Sequence, residues 1–407
     1  MEQLNIALAA AGGTVLCLGM FTRWINRSYF SIPLLALISG ILLGPLGTGL
    51  LLPTTWGDSF KILEEGARLT LGISLMAIAL RISRNFLFQH RTSLIILLGL
   101  GMPMMFLISG LIVHWTLGLP FLIALLVGAA ICPTDPVVAS SIVTGGLARQ
   151  HLPEAFRYGL STESAANDGL AYPLVFLPIF LLEPNEDSPW LTWLWDAIMW
   201  PIGAAVMLGI GLGWGVGKSL LWAEHHKTLD HKAFLATSLA LTMLALGLGK
   251  YFGTDSIVVV FVAGVVFSQL VGGAARAKED NVQETVNLFF TIPIFILFGL
   301  MLPVEQWLEL GWGGIGFTIA ILLFRRIPVI FLLSGLMPLW KSWKLALLAG
   351  HFGPIGISAL FYSMVILDKS GHEIAWVAGS LVVTASLVVH GMSAAPLARL
   401  WARIHEK

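Results

Sequence analysis

Apolar windows of about 20 residues follow one another from residue 3 to residue 397 with few interruptions. That is the length a helix needs to cross the ~30 Å hydrocarbon core of a bilayer. No water satisfies the backbone there, so each crossing must close its own hydrogen bonds as a helix. Thirteen windows can be drawn, at about 3–22, 31–51, 62–80, 92–114, 119–144, 158–182, 195–217, 233–250, 256–272, 286–302, 314–336, 345–366 and 375–397. Of the 407 residues 57% are hydrophobic and only 11% charged, against about 25% charged in a soluble domain, and the mean hydropathy is +0.86. The fold class expected is an all-α polytopic membrane protein of about thirteen transmembrane helices, embedded in a lipid bilayer. Residues 1–20 lack a basic stretch ahead of the apolar run, so no cleavable signal is expected. Residues 398–407 are expected to form a short tail without a regulatory domain. Zero net charge argues against a nucleic-acid partner. Cys17 and Cys132 fall in apolar windows and read as small buried residues rather than a disulfide or a metal site. No cofactor is expected.

An odd number of crossings puts the termini on opposite faces, and the basic residues choose the side. With the N-terminus outside, 17 of the 23 Lys and Arg fall in cytoplasmic loops: Arg23, Arg27, Arg81, Arg84, Arg91, Arg149, Arg157, Lys218, Lys227, Lys232, Arg276, Lys278, Lys341, Lys344, Arg399, Arg403 and Lys407. Lys61, Arg68, Lys250 and Lys369 fall outside, with the acidic segments 183–187 and 305–309. The expectation is a cell-membrane (plasma or inner membrane) protein with an external N-terminus and a cytoplasmic C-terminus.

Two windows are punctuated. The fifth carries Cys132-Pro133-Thr134-Asp135-Pro136, and the twelfth His351-Phe352-Gly353-Pro354-Ile355-Gly356. Prolines three apart remove two backbone donors and break a helix. Broken helices at corresponding positions of two halves point to inverted repeats and a mid-membrane site. The repeats would be windows 4–6 and 11–13, with the two broken helices crossing at mid-membrane.

The sixth window carries the chemistry. Thr162-Glu163-Ser164-Ala165-Ala166-Asn167-Asp168-Gly169 sits inside the apolar run from Tyr158 to Leu182. A charged side chain at membrane depth costs at least about 2.5–3.5 kcal/mol, so an intramembrane carboxylate is read first as a functional group. Residues four apart share a helix face, which pairs Glu163 with Asn167 and Ser164 with Asp168 on one broad polar face. Asp168, near the centre, is the candidate ligand. A carboxylate in low dielectric favours its protonated form, and a hard cation prefers oxygen donors. One Asp can therefore hold the cation or the proton, but not both. Ser164 can add a hydroxyl, and the unwound backbone at Thr134 a carbonyl. Asn167 can brace Asp168 against the broken helices or act as ordinary interhelical glue. Arg325 and Arg326 fall mid-window and cannot deprotonate. One of them is expected to pair with Glu163 as a structural bridge, direct ligation of the ion by Glu163 being the rival. The other would reach backbone carbonyls or ends of the broken helices. Asp135, at the first break, would neutralise facing helix N-termini or serve as a second ligand. His114, His351 and His390 have no partners at metal-ligand spacing and read as packing residues.

Thr134-Asp135-Pro136-Val137 in a broken helix, followed by Glu163-Ser164-x-x-Asn167-Asp168-Gly169, resembles the monovalent cation:proton antiporters. The branch resembled is the Asn-Asp one, which includes the eukaryotic sodium–hydrogen exchangers and their prokaryotic relatives. Phe352-Gly353-Pro354-x-Gly356-Ile357 is similar to the motif of the second broken helix, and Arg325 or Arg326 matches a mid-membrane arginine. The resemblance implies a secondary active antiporter, not an enzyme, exchanging a monovalent cation for H+ one for one and without net charge, by alternating access. Asp168, Asn167, Ser164 and Thr134 would hold ion and proton, supported by Glu163, Arg325, Arg326 and Asp135. Sodium is put first, with lithium and potassium as alternatives. It also implies a homodimer, with residues 1–91 and 195–302 as a dimerisation scaffold and residues 92–182 and 314–397 as a moving transport core. One departure stands out: where relatives carry an acid near the end of the third span, this chain has Met76-Ala77-Ile78-Ala79. A cation channel is the rival, although no Thr-Val-Gly-Tyr-Gly filter occurs. An intramembrane aspartyl protease built on Asp135 and Asp168 is more remote, because the flanking residues differ from that pattern.

Overall fold

The computed structural model describes residues 2–25, 28, 30–135, 138, 150–182, 188–226, 233–272 and 282–405. Pro136 and Val137 of the first motif lie outside the described residues, as do Arg27, Arg149, Lys227, Lys232, Arg276, Lys278, Lys407 and the acidic segment 183–187. Among the described residues every regular element is helical. In chain order the principal helices are α1 (Glu2–Met20), α2 (Ile32–Leu43), α3 (Ser59–Arg81), α4 (Arg84–Leu117), α5 (Phe121–Ala130), α6 (Glu154–Leu182), α7 (Pro189–His225) and α8 (Ala233–Tyr251). They continue with α9 (Ser256–Val271), α10 (Val282–Leu300), α11 (Gly311–Phe324), α12 (Ile327–Leu333), α13 (Trp343–His351), α14 (Ile357–Ser370) and α15 (Ile374–His405). Helix lies in each of the thirteen windows, and seven helical segments are by themselves long and apolar enough to cross a bilayer.

Local chemistry sets the boundaries. Ser31, Asp58, Ser83 and Asp255 cap α2, α3, α4 and α9, each accepting a bond from a backbone N–H of the first turn, which satisfies donors the helix leaves free. Gly118, Gly272 and Gly371 close α4, α9 and α14 in the left-handed conformation that glycine adopts without strain.

Packing relies on small residues, as it must where lipid removes the hydrophobic drive between helices. Gly209 and Gly213 of α7 lie against the backbone of α9, so that a Cβ on either would meet the Val259 or Ala263 carbonyl. Gly40 of α2 and Gly299 of α10 make a second seam of this kind. Helices α2, α3 and α7–α10 pack mainly on one another, as do α4–α6 and α11–α15; α3 against α14, and α6 against α7 and α9, are the main junctions between the two groups.

Three expectations change. Cys132 is buried, but Cys17 is exposed on α1, because an apolar side chain at membrane depth can face lipid as readily as protein. The eleventh window is not one helix: it is interrupted at Arg325 and Arg326, between α11 and α12. Pro328 has no N–H for the carbonyl of Phe324, so the ladder fails there. The thirteenth window stops at 397, whereas α15 runs on to His405.

Candidate functional site

The polar face of α6 is enclosed on all sides. Glu163, Asn167 and Asp168 are at most 1% exposed and Ser164 is buried. Three interrupted helices converge on it. Beyond Ala130, where α5 ends, Ile131–Asp135 leave the helix, and between α13 and α14 residues 352–356 do the same. Such ends leave carbonyls without partners, and the arginine pair at the third break collects them. Arg325 donates through one nitrogen to the carbonyls of Ile131 (2.7 Å), Cys132 (2.8 Å) and Pro133 (3.3 Å), and through the other to Gly353 (2.5 Å). A single guanidinium thus grips both broken segments. Arg326 donates from both terminal nitrogens to the two oxygens of Glu163, 2.8 Å each, and from Nε to the Ala349 carbonyl (3.1 Å). The fork geometry is the strong bidentate form, and it assigns the pair left open by the sequence to Arg326. Gly353 is required here, since a Cβ would collide with the Arg326 side chain.

Asp135 bridges the two breaks. Its N–H donates to the Pro354 carbonyl (2.8 Å), and its Oδ2 accepts from the Ile357 N–H (2.6 Å), the first residue of α14. This is an N-terminal cap supplied from another helix. Gly356 makes room for it, a Cβ there falling on the Asp135 carboxylate.

Asn167 fastens the first break to α6. Its Oδ1 accepts from the Thr134 N–H (3.1 Å), and its Nδ2 donates to Thr134 Oγ1 (2.9 Å) and Glu163 Oε1 (3.0 Å). The hydroxyls of Thr134 and Ser164 lie 2.8 Å apart. One turn beyond Ser164, both carboxylate oxygens of Asp168 are buried without a hydrogen-bond partner. A buried polar group in that state is rare in folded proteins and calls for an explanation. The hydroxyl set against this carboxylate is that of Ser358 on α14, itself without another partner. Together these atoms are carboxylate and hydroxyl oxygens, the donor set of a hard cation and equally of a proton.

Ser358 and Tyr362, whose hydroxyl donates to the Asp168 carbonyl (2.5 Å), did not come out of the sequence reading. Their spacing of four in an apolar helix was the available signal. Of the Met76-Ala77-Ile78-Ala79 run, Met76 and Ala79 press against Gly264 of α9. His114 bonds the Leu119 carbonyl (2.6 Å). His351 and His390 are not isolated packing residues, for their rings lie 5.1 Å apart.

The chain and its fold have counterparts among known proteins. The model of the sodium/hydrogen exchanger, transmembrane, family matches residues 13–400. The chain is 33% identical to the "Na(+)/H(+) antiporter 2" of Zygosaccharomyces rouxii over 88% of its length and 46% of the relative's. It is 26% identical to the "K(+)/H(+) antiporter NhaP2" of Shewanella sp. strain ANA-3 over 92% of its length and 63% of the relative's. The chain therefore spans less than two thirds of either relative. Its fold is that of the sodium proton antiporter MjNhaP1 from Methanocaldococcus jannaschii, with a TM-score of 0.74 at 20% identity over 98% of this chain and 99% of that one. From the match across residues 13–400, the chain belongs to the transmembrane sodium/hydrogen exchanger family, a family of transporters and not of enzymes.

Proposed function

We propose that the chain exchanges a monovalent cation for a proton across the cell membrane, with the two competing for Asp168. The observation that carries the reading is the Asp168 carboxylate itself, buried mid-helix with neither oxygen partnered, one turn from the paired hydroxyls of Ser164 and Thr134. Cation binding displaces the proton and proton binding displaces the cation, so neither crosses without the other returning. Of the three acids gathered at this site, Asp168 is the exchangeable one: Glu163 is held by Arg326 and Asp135 caps α14. Exchange is accordingly one for one and electroneutral. Sodium is put first, as in the name of the Zygosaccharomyces relative; the Shewanella relative's name makes potassium the alternative, and lithium fits the same oxygen donors. The chain crosses the membrane thirteen times, with its N-terminus outside and its C-terminus in the cytoplasm. Residues 1–91 and 195–302 form the scaffold of a homodimer. Residues 92–182 and 314–397 form the core that carries the site between the two faces by alternating access.

The test is reconstitution into liposomes with a trapped pH dye, adding sodium, lithium and potassium in turn. Wild type should show cation-dependent proton flux and Asp168→Asn none, with the variant still folded. Robust exchange by the variant would refute the assignment, and cation flux without proton movement would favour a channel.

A further inference from the structure

The segment at residues 352–356 is held from a third side, by α15, through contacts that neither the cation site nor the ion pair uses. Arg325 takes the Gly353 carbonyl, and Asp135 takes the Pro354 carbonyl and the Ile357 N–H. The Ile355 N–H, between the two Asp135 contacts, donates to Ser386 Oγ at 2.8 Å. At the upstream edge of the break, the His351 carbonyl lies 2.9 Å from His390 Nε2. Ser386 and His390 are one turn apart on α15 and both buried, with His390 Nδ1 3.1 Å from Ser386 Oγ and 3.0 Å from the Ser386 carbonyl.

Each ring nitrogen of His390 faces a carbonyl, Nε2 that of His351 and Nδ1 that of Ser386, and Nδ1 also faces the Ser386 hydroxyl. The neutral ring carries one hydrogen; the form that bridges the break has it on Nε2, given to the His351 carbonyl, with Nδ1 as acceptor, whereas the other tautomer gives it to the Ser386 carbonyl. In the bridging form the Ser386 hydroxyl accepts from Ile355 and has one hydrogen to give, which goes to Nδ1. The result is a directed chain from Ile355 N–H through the Ser386 hydroxyl and the His390 ring to the His351 carbonyl. It starts and ends on the same broken peptide. Its two side chains close a loop around the break and set the distance between the end of α13 and the Asp135 contacts.

We propose that Ser386 and His390 are positioning residues for exchange: as a unit they fix the register of the 352–356 peptide against Asp135 and Arg325. The proposal rests on the exchange reading above. Neither residue touches Asp168, Ser164 or Thr134, so the step affected is passage of the site across the membrane rather than binding of the cation.

The full chain is compared with His390→Leu, Ser386→Ala, the double variant and His390→Gln. Each is assayed for dye-reported exchange in liposomes and for hydrogen–deuterium exchange of the peptide covering residues 352–357. His390→Leu and Ser386→Ala should each lower the maximal rate at least tenfold while half-saturating sodium moves less than threefold. The double variant should fall no further than the worse single one, as expected of residues acting as a unit. Gln offers a donor and an acceptor in one neutral side chain and should stay within threefold of wild type. Deuterium uptake at Ile355 should accelerate at least tenfold in the Leu and Ala variants and not in Gln. Wild-type rates in either disruptive variant, or a Gln variant that fails as Leu does, would overturn the proposal. If the wild type moves no cation, the exchange reading falls, and deuterium uptake at Ile355 still decides whether the clamp exists.

Discussion

Replacing Glu163 by Gln tests whether the face of α6 is divided into a structural half and an ion-binding half. In the wild type three donors converge on this carboxylate: the two terminal nitrogens of Arg326 at 2.8 Å and Asn167 Nδ2 at 3.0 Å. Gln keeps one oxygen. Its amide nitrogen faces an Arg326 nitrogen in either placement, and Asn167 Nδ2 as well in one of them, donor against donor, and the guanidinium stays charged with both partners about 97% or more buried. An ordinary interhelical hydrogen bond in a membrane protein contributes about 0.6 kcal/mol. Breaking one side of a buried ion pair costs about 3–5 kcal/mol, because the survivor is uncompensated. That is about two to four powers of ten in the folding equilibrium and a large share of a typical total of about 5–15 kcal/mol. Glu163→Gln should therefore unfold much more readily in a detergent denaturation series, while the half-saturating cation concentration of the folded fraction shifts less than threefold. The double variant Glu163→Gln/Arg326→Gln should recover at least half of the loss, since neither side is left charged. Unchanged stability with lost cation dependence would move Glu163 into the binding site and refute the division.

Asp168→Asn should not lower stability, because the carboxylate makes no close hydrogen bond and an amide keeps an oxygen for its contact with Ser358; a clear drop in thermal unfolding would mean that Asp168 holds the fold. Arg325→Met leaves four backbone carbonyls without their donor, and at about 1–3 kcal/mol for each unsatisfied buried group the variant is expected to be recovered poorly, if at all; normal yield and unfolding would refute the count. Gly356→Ala should reduce exchange at least tenfold by driving a methyl into Asp135, with Asp135→Ala in the same background restoring part of the loss; a fully active Gly356→Ala protein would contradict the close approach. Exchange at fixed ion gradients should not respond to a clamped membrane potential, whereas one net charge per cycle would feel about 2.3 kcal/mol per 100 mV; a reversal point that moves with voltage would make Asp135 or Glu163 a second proton carrier.

Much of this site could be read from the chain, because a polar group in an apolar run has few innocent explanations. Glu163, Asn167 and Asp168 announce themselves that way, and Pro354 with two flanking glycines announces the second break. Other features were illegible for identifiable reasons. Adjacent residues on a helix point about 100° apart, so spacing alone could not choose between Arg325 and Arg326. The interruption that lets both point inward depends on Pro328, whose missing donor was in the sequence but lay inside a strongly apolar window. Ser386 is linked to Ile355 across 31 residues and His390 to His351 across 39, each by a single hydrogen bond, and no periodicity records a contact of that kind. Cys17 failed for the opposite reason: hydropathy does not distinguish a neighbour that is protein from one that is lipid.

The grip of Arg325 on both broken segments has a consequence for how the molecule loosens. Irregular backbone is ordinarily where local unfolding begins, each stretch opening by itself. Here the carbonyls of Ile131, Cys132 and Pro133 and that of Gly353 share one guanidinium, so freeing either segment strips a charged group of partners it needs for the other. The two stretches, one in the first third of the chain and one near its end, therefore form a single cooperative opening unit with a common free energy. The parts of this bundle with the least regular structure are expected to be among the last to fray.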